Sequence, residues 1–214
     1  FFLLLFEMNS SEKLRQILSK HIPANSLPYC LRLWEEKPFN FTVSKSRKSK
    51  LGDFRYRRDR GIQTITINGD LNPYQFLLTF IHEVAHLHTF LNFGIEIAPH
   101  GHEWKQTFQK LISPLLSVHV FPRDLLIPLQ RHMRAPKASS AQDLFLMKEM
   151  SKYDLQKDLE TNSFLSDLQL GITFELEGRV FKKGETRRTR VLCEEIKTGK
   201  KYLITHLAKV KVIE

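Results

Sequence analysis

The pattern of apolar and polar positions divides the first half of the chain into helical and extended stretches. Leu14 and Leu18 recur four residues apart and predict a first helix, which Pro23 ends. Between residues 39 and 68, apolar and polar side chains alternate along short runs, with a turn expected at Gly52. This alternation predicts two or three antiparallel strands.

A longer apolar run after these strands predicts the principal helix. It follows Asn72 and Pro73, a pair typical of a helix start, and should extend to about Leu91. A short loop leads to a second helix, in which Trp104 and Phe108 lie at helical spacing. The chain thus combines predicted helices with a predicted small sheet, and we assign it to the α+β class.

The chain divides into three predicted regions, and its 214 residues fit one medium domain with a small appendage. Residues 10–114 form the core, in which a small antiparallel sheet packs with helices. Residues 115–170 are punctuated by prolines, and we interpret them as a linker and helical segment. From residue 171 to residue 214 apolar positions alternate between glycine turns, which predicts a small basic β module of three or four strands.

Basic residues are concentrated in one stretch of the chain. The formal net charge of +10 at pH 7 favours a polyanionic partner, with nucleic acid as the first candidate. Eight basic residues and two acidic ones lie between residues 44 and 61. We predict sequence-independent DNA contacts for this stretch, and the alternative is the solvated outer face of a strand. The eight basic residues are Lys45, Arg47, Lys48, Lys50, Arg55, Arg57, Arg58 and Arg60.

The sequence indicates neither a disulfide framework nor a cysteine-based metal site. The two cysteines, Cys30 and Cys193, lie far apart, and this predicts a reducing, cytoplasmic location. The apolar start, Phe1–Phe6, is far shorter than the roughly 20 residues of a membrane-spanning helix, so we expect no membrane partner. Met8 follows closely, and we expect residues 1–7 to precede the native start, with a truncated export signal as the weaker alternative.

The strongest chemical signal lies inside the principal helix. The chain reads H-E-x-x-H from His82 to His86, and residues four apart share a helix face, so both imidazoles can bind one metal ion. Glu83 lies one step round the helix, where a carboxylate can deprotonate water, as in zinc-dependent hydrolases. A third ligand is available from His100 or His102 downstream. The rival interpretation is a pair of ordinary buried histidines.

Three short patterns taken together resemble a known family. They are Asn72-Pro73-Tyr74, the H-E-x-x-H of residues 82–86, and H-G-H-E-W-K over residues 100–105. The set is similar to the SprT-like domain, the family of the bacterial SprT proteins and of the Spartan proteases that remove DNA–protein crosslinks. The linked pair of H-E-x-x-H and H-G-x-x-W is its specific part, and the resemblance covers roughly residues 14–112.

The resemblance implies a zincin-like core, with a small sheet, an active-site helix and flanking helices. It also implies one zinc ion per chain, held by His82, His86 and His100, with Glu83 activating water to hydrolyse a protein substrate. Three further side chains are expected beside this site, where they would contact the ligands or the substrate. They are His102, Trp104 and Tyr74.

The C-terminal module departs from the family pattern, and the function therefore has two interpretations. Many family members carry a zinc ribbon of paired cysteines, whereas this region has only Cys193, and one thiolate cannot build a four-ligand site. We expect a metal-free, degenerate ribbon-like module. The first hypothesis is a zinc metalloendopeptidase that acts on DNA-associated proteins. The alternative is a nucleic-acid-binding protein with a structural or vestigial zinc site and no proteolysis. A metal hydrolase acting on another substrate class ranks third.

Overall fold

A computed structural model describes residues 2–47, 49–137, 143–154 and 162–213, with side chains from residue 11 onward except that of residue 162. The protein is a mixed α+β structure, as predicted. It divides into two compact units, one of residues 1–140 with 148–154 and one of residues 141–147 with 155–214. No described helix combines the length and the apolar content that crossing a membrane requires.

Helices make up most of the first unit, and the predicted first, principal and second helices are confirmed. The first helix ends at His21, just before Pro23, and the principal helix ends at Phe93. The helices are α1 (Phe2–His21), α2 (Leu27–Glu36), α3 (Pro73–Phe93), α4 (His102–Ile112) and α5 (Arg123–Arg134), followed by α6 (Leu144–Ser151), which the boundary between the units crosses.

Both its capping residues and its burial stabilise helix α3. The Asn72 side chain accepts a hydrogen bond from the Gln75 N–H at 3.0 Å, and Pro73 takes the first helical position. Gly94, with φ 79°, ends the helix in a backbone conformation that suits glycine. Most of the helix is buried, including Phe76 and Phe80, so α3 is the centre of the first unit.

The first sheet has three strands and is mixed, so the prediction of an antiparallel sheet was wrong. The strands are β1 (Asn40–Ser44), β2 (Gly52–Arg55) and β3 (Thr64–Asn68), in the order β1-β3-β2. Strand β3 pairs antiparallel with β2 but parallel with β1. It takes the centre because Ile65 and Ile67 are fully buried. Since β3 separates the two earlier strands, β2 is an edge strand.

Residues beyond 114 contribute to the core of the first unit. Phe121, Leu125 and Leu129 are fully buried. The Asn72 side-chain amide also donates to Met150 O at 2.9 Å, which ties the end of α6 to the start of α3. Residues 115–137, interpreted from the sequence as part of a linker and helical segment, thus contribute to this core, and the predicted domain bounds stay predictions.

The second unit contains a six-stranded antiparallel sheet, larger than the predicted module of three or four strands. The strands are β4 (Asn162–Phe164), β5 (Thr173–Leu176), β6 (Arg179–Arg187), β7 (Arg190–Glu195), β8 (Lys201–Thr205) and β9 (Lys209–Val212), in the order β4-β9-β5-β6-β7-β8. The sheet is larger because β4 precedes residue 171 and because the segment after that residue makes five strands. Phe174, Val191 and the free thiol of Cys193 are buried in its core.

Candidate metal centre

Three histidine side chains meet beside helix α3. His82 and His86 lie one turn apart on α3, and His100 lies in the loop that leads to α4. Their Nε2 atoms form a nearly equilateral triangle, with separations of 3.3 Å for His82–His86, 3.0 Å for His86–His100 and 3.3 Å for His82–His100. The structure thus brings together the three side chains that the family resemblance implied, which we call the histidine triad.

The triad has the dimensions of one face of a tetrahedral metal site. Zinc–nitrogen bonds of about 2.0–2.1 Å place neighbouring ligand nitrogens about 3.3 Å apart at tetrahedral angles. Imidazole nitrogen is a ligand for zinc and also for copper, iron and nickel. The triad can therefore hold a metal ion, and in the described ranges it is the one group of three histidine, cysteine or carboxylate side chains with this capacity.

The loop backbone directs His100 towards the two histidines of α3. His100 has a φ of 59°, in the left-handed region that residues other than glycine rarely adopt. The Gly101 N–H closes the turn by donating to Ala98 O at 2.9 Å. A Cβ atom at Gly101 would lie 2.9 Å from that same oxygen, so the turn requires a glycine beside the third histidine. Backbone strain of this kind is concentrated at functional sites, where surrounding contacts maintain it.

Trp104 contacts every ring of the triad. Its ring centroid lies 4.7 Å from that of His82, 5.2 Å from that of His86 and 4.7 Å from that of His100. The indole is almost completely buried and stacks on Phe108 of the same helix. Helix α4 thus supplies an apolar wall behind the imidazoles, and this wall limits their movement.

Burial keeps the three imidazoles in the neutral form that binds metal. It lowers the pKa of His82 to about 2 and the pKa of His86 to about 4. The pKa of His100 is also lowered, first by burial and then by the charge of Lys105. A proton on one imidazole would also repel a proton on its neighbours, and this repulsion is a smaller cause of the low pKa values of His82 and His86.

Glu83 is a buried carboxylate that faces strand β2. Burial raises the pKa of Glu83 to about 8, and a hydrogen bond from the backbone N–H of Phe54 opposes this rise. Gly52 lies so close that a Cβ atom there would be 2.9 Å from Glu83 Oε1. The sequence predicted a turn at Gly52, but this glycine begins β2 and lets the strand approach α3.

The triad and Glu83 open onto one cavity of about 310 Å³, which we call the metal cavity. Its opposite wall is formed by residues 49–54, from the end of the β1–β2 loop into β2. Sequence reasoning missed this wall, because the approach of β2 to α3 brings together residues about 30 positions apart. The site therefore combines three metal-binding nitrogens, a carboxylate and an open approach for a substrate.

Several of the predicted DNA-binding residues have structural partners in the first sheet. Arg47 pairs closely with Asp53 and donates from Nε to Asn68 Oδ1 at 2.7 Å. Lys50 and Arg55 lie 3.4 Å and 3.5 Å from the same carboxylate. Asp53 thus gathers three of the eight basic side chains beside the metal cavity.

The remaining basic residues of that stretch are mostly exposed. Arg57 binds Asp59 through two contacts of 3.0 Å. Lys45, Arg58 and Arg60 are exposed, and within the described residues their side chains make no ion pair. Lys48 lies outside the described residues.

Two side chains expected beside the site lie away from its cavity. His102 is the first residue of α4, is exposed and is not part of the metal cavity. Tyr74 stands at the start of α3, where its ring packs on Phe121 and Tyr153 at centroid distances of 5.9 Å and 4.8 Å. Of the three expected neighbours, only Trp104 contacts the triad in the structure.

Comparison with known proteins gives one match. A model of a protein family described as the SprT-like family matches residues 11–120, just over half of the 214 residues. The matched segment contains the three histidines, Glu83 and all of the first sheet. No curated protein and no solved structure matches the chain.

Proposed function

The chain belongs to the SprT-like family, and on that premise we propose that it is a zinc-dependent metallopeptidase with a zincin-like core. The family is associated with hydrolases of the metallopeptidase type. In this proposal one zinc ion per chain is held by His82, His86 and His100, and Glu83 is the general base.

The observation that carries the proposal is the pairing of the triad with a buried carboxylate on the same cavity. The Nε2 atoms lie 3.0–3.3 Å apart, as a tetrahedral site requires. Glu83 lines the same cavity, and a buried carboxylate is costly to maintain without a function. A purely structural metal site would need the histidines but would have no use for Glu83, which favours catalysis over the alternative of a vestigial site.

The chemistry divides between the metal and the carboxylate. A zinc ion held by three imidazoles supplies a Lewis acid that lowers the pKa of water and polarises a carbonyl group. Glu83 accepts the proton of the attacking water and then delivers it to the leaving amine. Burial raises the pKa of Glu83 to about 8 when no metal is bound, and a zinc ion beside it would lower that pKa and favour the carboxylate form that accepts a proton. The Phe54 N–H and the close approach of Gly52 hold its orientation.

The substitution Glu83→Gln tests this proposal with little change of shape. We expect the variant to bind zinc like the wild-type protein and to lose cleavage of a basic DNA-binding protein by about 100-fold or more. Glu35→Gln is the matched control, because Glu35 is an exposed carboxylate on α2 that lines neither the metal site nor its cavity. Metal content by mass spectrometry and fragment formation on gels are the readouts. Cleavage by Glu83→Gln at the wild-type rate would overturn the proposal.

We further propose that the substrates are DNA-associated proteins and that the enzyme binds DNA without sequence preference. Lys45, Arg58 and Arg60 support this, because they are exposed and lack ion-pair partners in the described part of the chain. Exposed cations that bind phosphates release counterions, so the affinity should fall as salt rises. Arg47 contributes less in this proposal, since Asp53 and Asn68 already engage its guanidinium group.

Charge reversal tests the DNA proposal. The double variant Arg58→Glu and Arg60→Glu should weaken binding to single-stranded DNA and reduce the slope of affinity against salt. The control is Lys13→Glu with Lys110→Glu, which changes the net charge equally at two exposed positions on helices. Equal affinities for the two double variants would contradict a specific role for the β2–β3 loop.

We also propose a reducing, cytoplasmic location. Cys30 and Cys193 are free thiols, and both are buried. Free thiols in a protein with two cysteines are typical of compartments that keep thiols reduced. Localisation of a fluorescent fusion by microscopy would test this assignment, and secretion into the medium would contradict it.

A further inference from the structure

A second cavity adjoins the metal cavity, and most of its lining residues lie outside the histidine triad and Glu83. Its volume is about 160 Å³. It shares Phe54, His86 and His100 with the metal cavity, so the two spaces meet at the metal-binding histidines. We call this space the aromatic cavity.

The aromatic cavity is lined mainly by apolar side chains. The Phe90 ring lies 5.8 Å from the Phe54 ring and 4.5 Å from the Tyr56 ring, which closes one side. Among the described residues that line it, none is Lys, Arg, Asp or Glu. The other walls include Ile95, Ile97 and Trp104.

The size and polarity of the cavity define the group that it can accept. An apolar protein cavity of about 150 Å³ accommodates one benzene molecule. The aromatic cavity has a similar volume, about 160 Å³, and therefore has room for one such group. An ionised side chain would lose hydration there without gaining a partner of opposite charge. The cavity thus suits a side chain such as Leu or Phe and disfavours Lys or Asp.

Exposed apolar side chains lie on the wall of this cavity and near the end of α3. Ile95, on the cavity wall, is 66% exposed, and its neighbours Leu91 and Phe93 are 50% and 53% exposed. Binding pockets are lined predominantly by apolar side chains. A polypeptide bound in the metal cavity would therefore meet apolar surface directly beside the metal-binding histidines.

We propose that the aromatic cavity is a substrate subsite, which binds a bulky apolar side chain next to the scissile bond and so sets the cleavage preference. The inference depends on the peptidase function proposed above, which it deepens by naming the class of residue recognised. It assigns the loop of residues 94–99 and strand β2 to recognition, while α3 and His100 provide the catalytic centre. Substrates are accordingly segments whose apolar side chains are accessible.

Hexapeptides that differ only at one central residue, Leu, Phe, Ala or Lys, provide the test. We expect the wild-type, zinc-loaded protein to cleave the Leu and Phe peptides with kcat/KM at least about 10-fold above that of the Ala peptide, and the Lys peptide least. Mass spectrometry of the fragments places the preferred residue relative to the cut. The variant Ile97→Glu introduces a carboxylate into the cavity and should reduce the Leu preference at least 10-fold while raising the rate for Lys.

The matched control is Ile127→Glu, which makes the same change at an exposed position on α5 that is not among the cavity's lining residues. It should keep the wild-type order of peptides. The subsite proposal would be overturned if Ile97→Glu kept the wild-type kcat/KM values for the four peptides. Equal rates for the Leu and Ala peptides in the wild-type protein would also overturn it.

Binding to the Glu83→Gln protein separates the subsite from the proposed function. Calorimetric titration of the zinc-loaded variant with the same peptides should show tighter binding of Leu than of Ala, and adding Ile97→Glu should abolish the difference. If the wild-type protein cleaves no peptide but this binding difference exists, the peptidase proposal fails and the apolar binding site stands. If the difference is absent, the subsite is overturned even when cleavage occurs.

Discussion

Gly52 lies against Glu83 so closely that a Cβ atom at residue 52 would be 2.9 Å from Glu83 Oε1 and 2.8 Å from Thr79 Cγ2. Both contacts would be shorter than ordinary van der Waals distances. The edge strand β2 therefore reaches the H-E-x-x-H helix only because residue 52 has no side chain. The glycine sets the distance between the strand and the proposed general base.

Gly52→Ala should disturb catalysis through this contact while leaving the metal in place. The added methyl group displaces the Glu83 side chain, and a misplacement of about 1 Å can reduce the rate about 100-fold. We expect kcat to fall by that order and zinc content to stay at one ion per chain. Gly61→Ala is the matched control, since a Cβ atom at Gly61 meets nothing within 4 Å. A similar loss in both variants would contradict a positional role for Gly52.

Replacing the third histidine should abolish tight metal binding. Losing a group that only supports a metal ligand costs about 10–100-fold in affinity, so losing the ligand in His100→Ala should cost more than about 100-fold. His102→Ala is the control, because His102 is exposed two residues later. Titration of the metal-free proteins with zinc against a competing chelator measures the difference. Wild-type affinity in His100→Ala would rule out His100 as a ligand.

The stability of the metal-free protein should depend on pH through His88. Burial, with smaller contributions from the charges of Lys37 and Lys110, lowers the pKa of His88 to about 4, and its Nε2 has no hydrogen-bond partner in the described part of the chain. The unfolded chain takes up this proton near pH 6.5, whereas the folded protein does so only near pH 4. The stabilising contribution of neutral His88 to the free energy of unfolding is therefore complete above pH 6.5. It is lost as the pH falls towards 4.

Melting curves at pH 8 and pH 5 with chelator present measure this effect. In His88→Leu the acid-induced fall in Tm should be smaller than in the wild-type protein by about 4–8 °C, which corresponds to about 2 kcal/mol for a chain of this length. His119→Leu makes the same substitution at an exposed histidine and should keep the wild-type fall. An identical pH dependence in His88→Leu would refute the assignment.

Arg47 should contribute to stability more than its place in a basic stretch suggests. Its guanidinium group binds both Asp53 and Asn68, and hydrogen bonds to charged groups contribute about 1.5–3 kcal/mol. We expect Arg47→Ala to lower the free energy of unfolding by about 1–3 kcal/mol. Arg58→Ala, at an exposed and unpaired position, should change it by less than about 0.5 kcal/mol. Urea unfolding measures both, and equal effects would contradict this distinction.

The parts of the site that could be predicted from the sequence are those encoded by local spacing. His82 and His86 share a face because four residues make about one helical turn, and Asn72 with Pro73 marks the start of that helix. Local spacing left His100 and His102 as alternatives. The family resemblance selected His100, and the structure brings its Nε2 to 3.0 Å from that of His86.

The features that escaped prediction depend on contacts between distant segments. The parallel pairing of β1 with β3 depends on which strand takes the buried centre of the sheet. Strand β3 takes it, with Ile65 and Ile67 fully buried, and the alternation of apolar and polar residues does not specify this choice. Gly52 looks like a turn residue in the sequence, because its real constraint is contact with helix α3. That helix begins about 20 residues later, so no local pattern reveals the contact. Arg47 resembles a solvated cation for the same reason, since Asn68 and Asp53 become its partners only after the sheet forms.

Trp104 gives the protein an internal optical probe of its metal site. The chain has two tryptophans, and one of them contacts all three imidazoles of the triad. An ion bound by those rings changes the electrostatic surroundings of the indole, so its fluorescence emission reports occupancy without an added dye. In a Trp34→Phe background that emission would come from Trp104 alone, and the arrival and departure of the ion could be followed in real time.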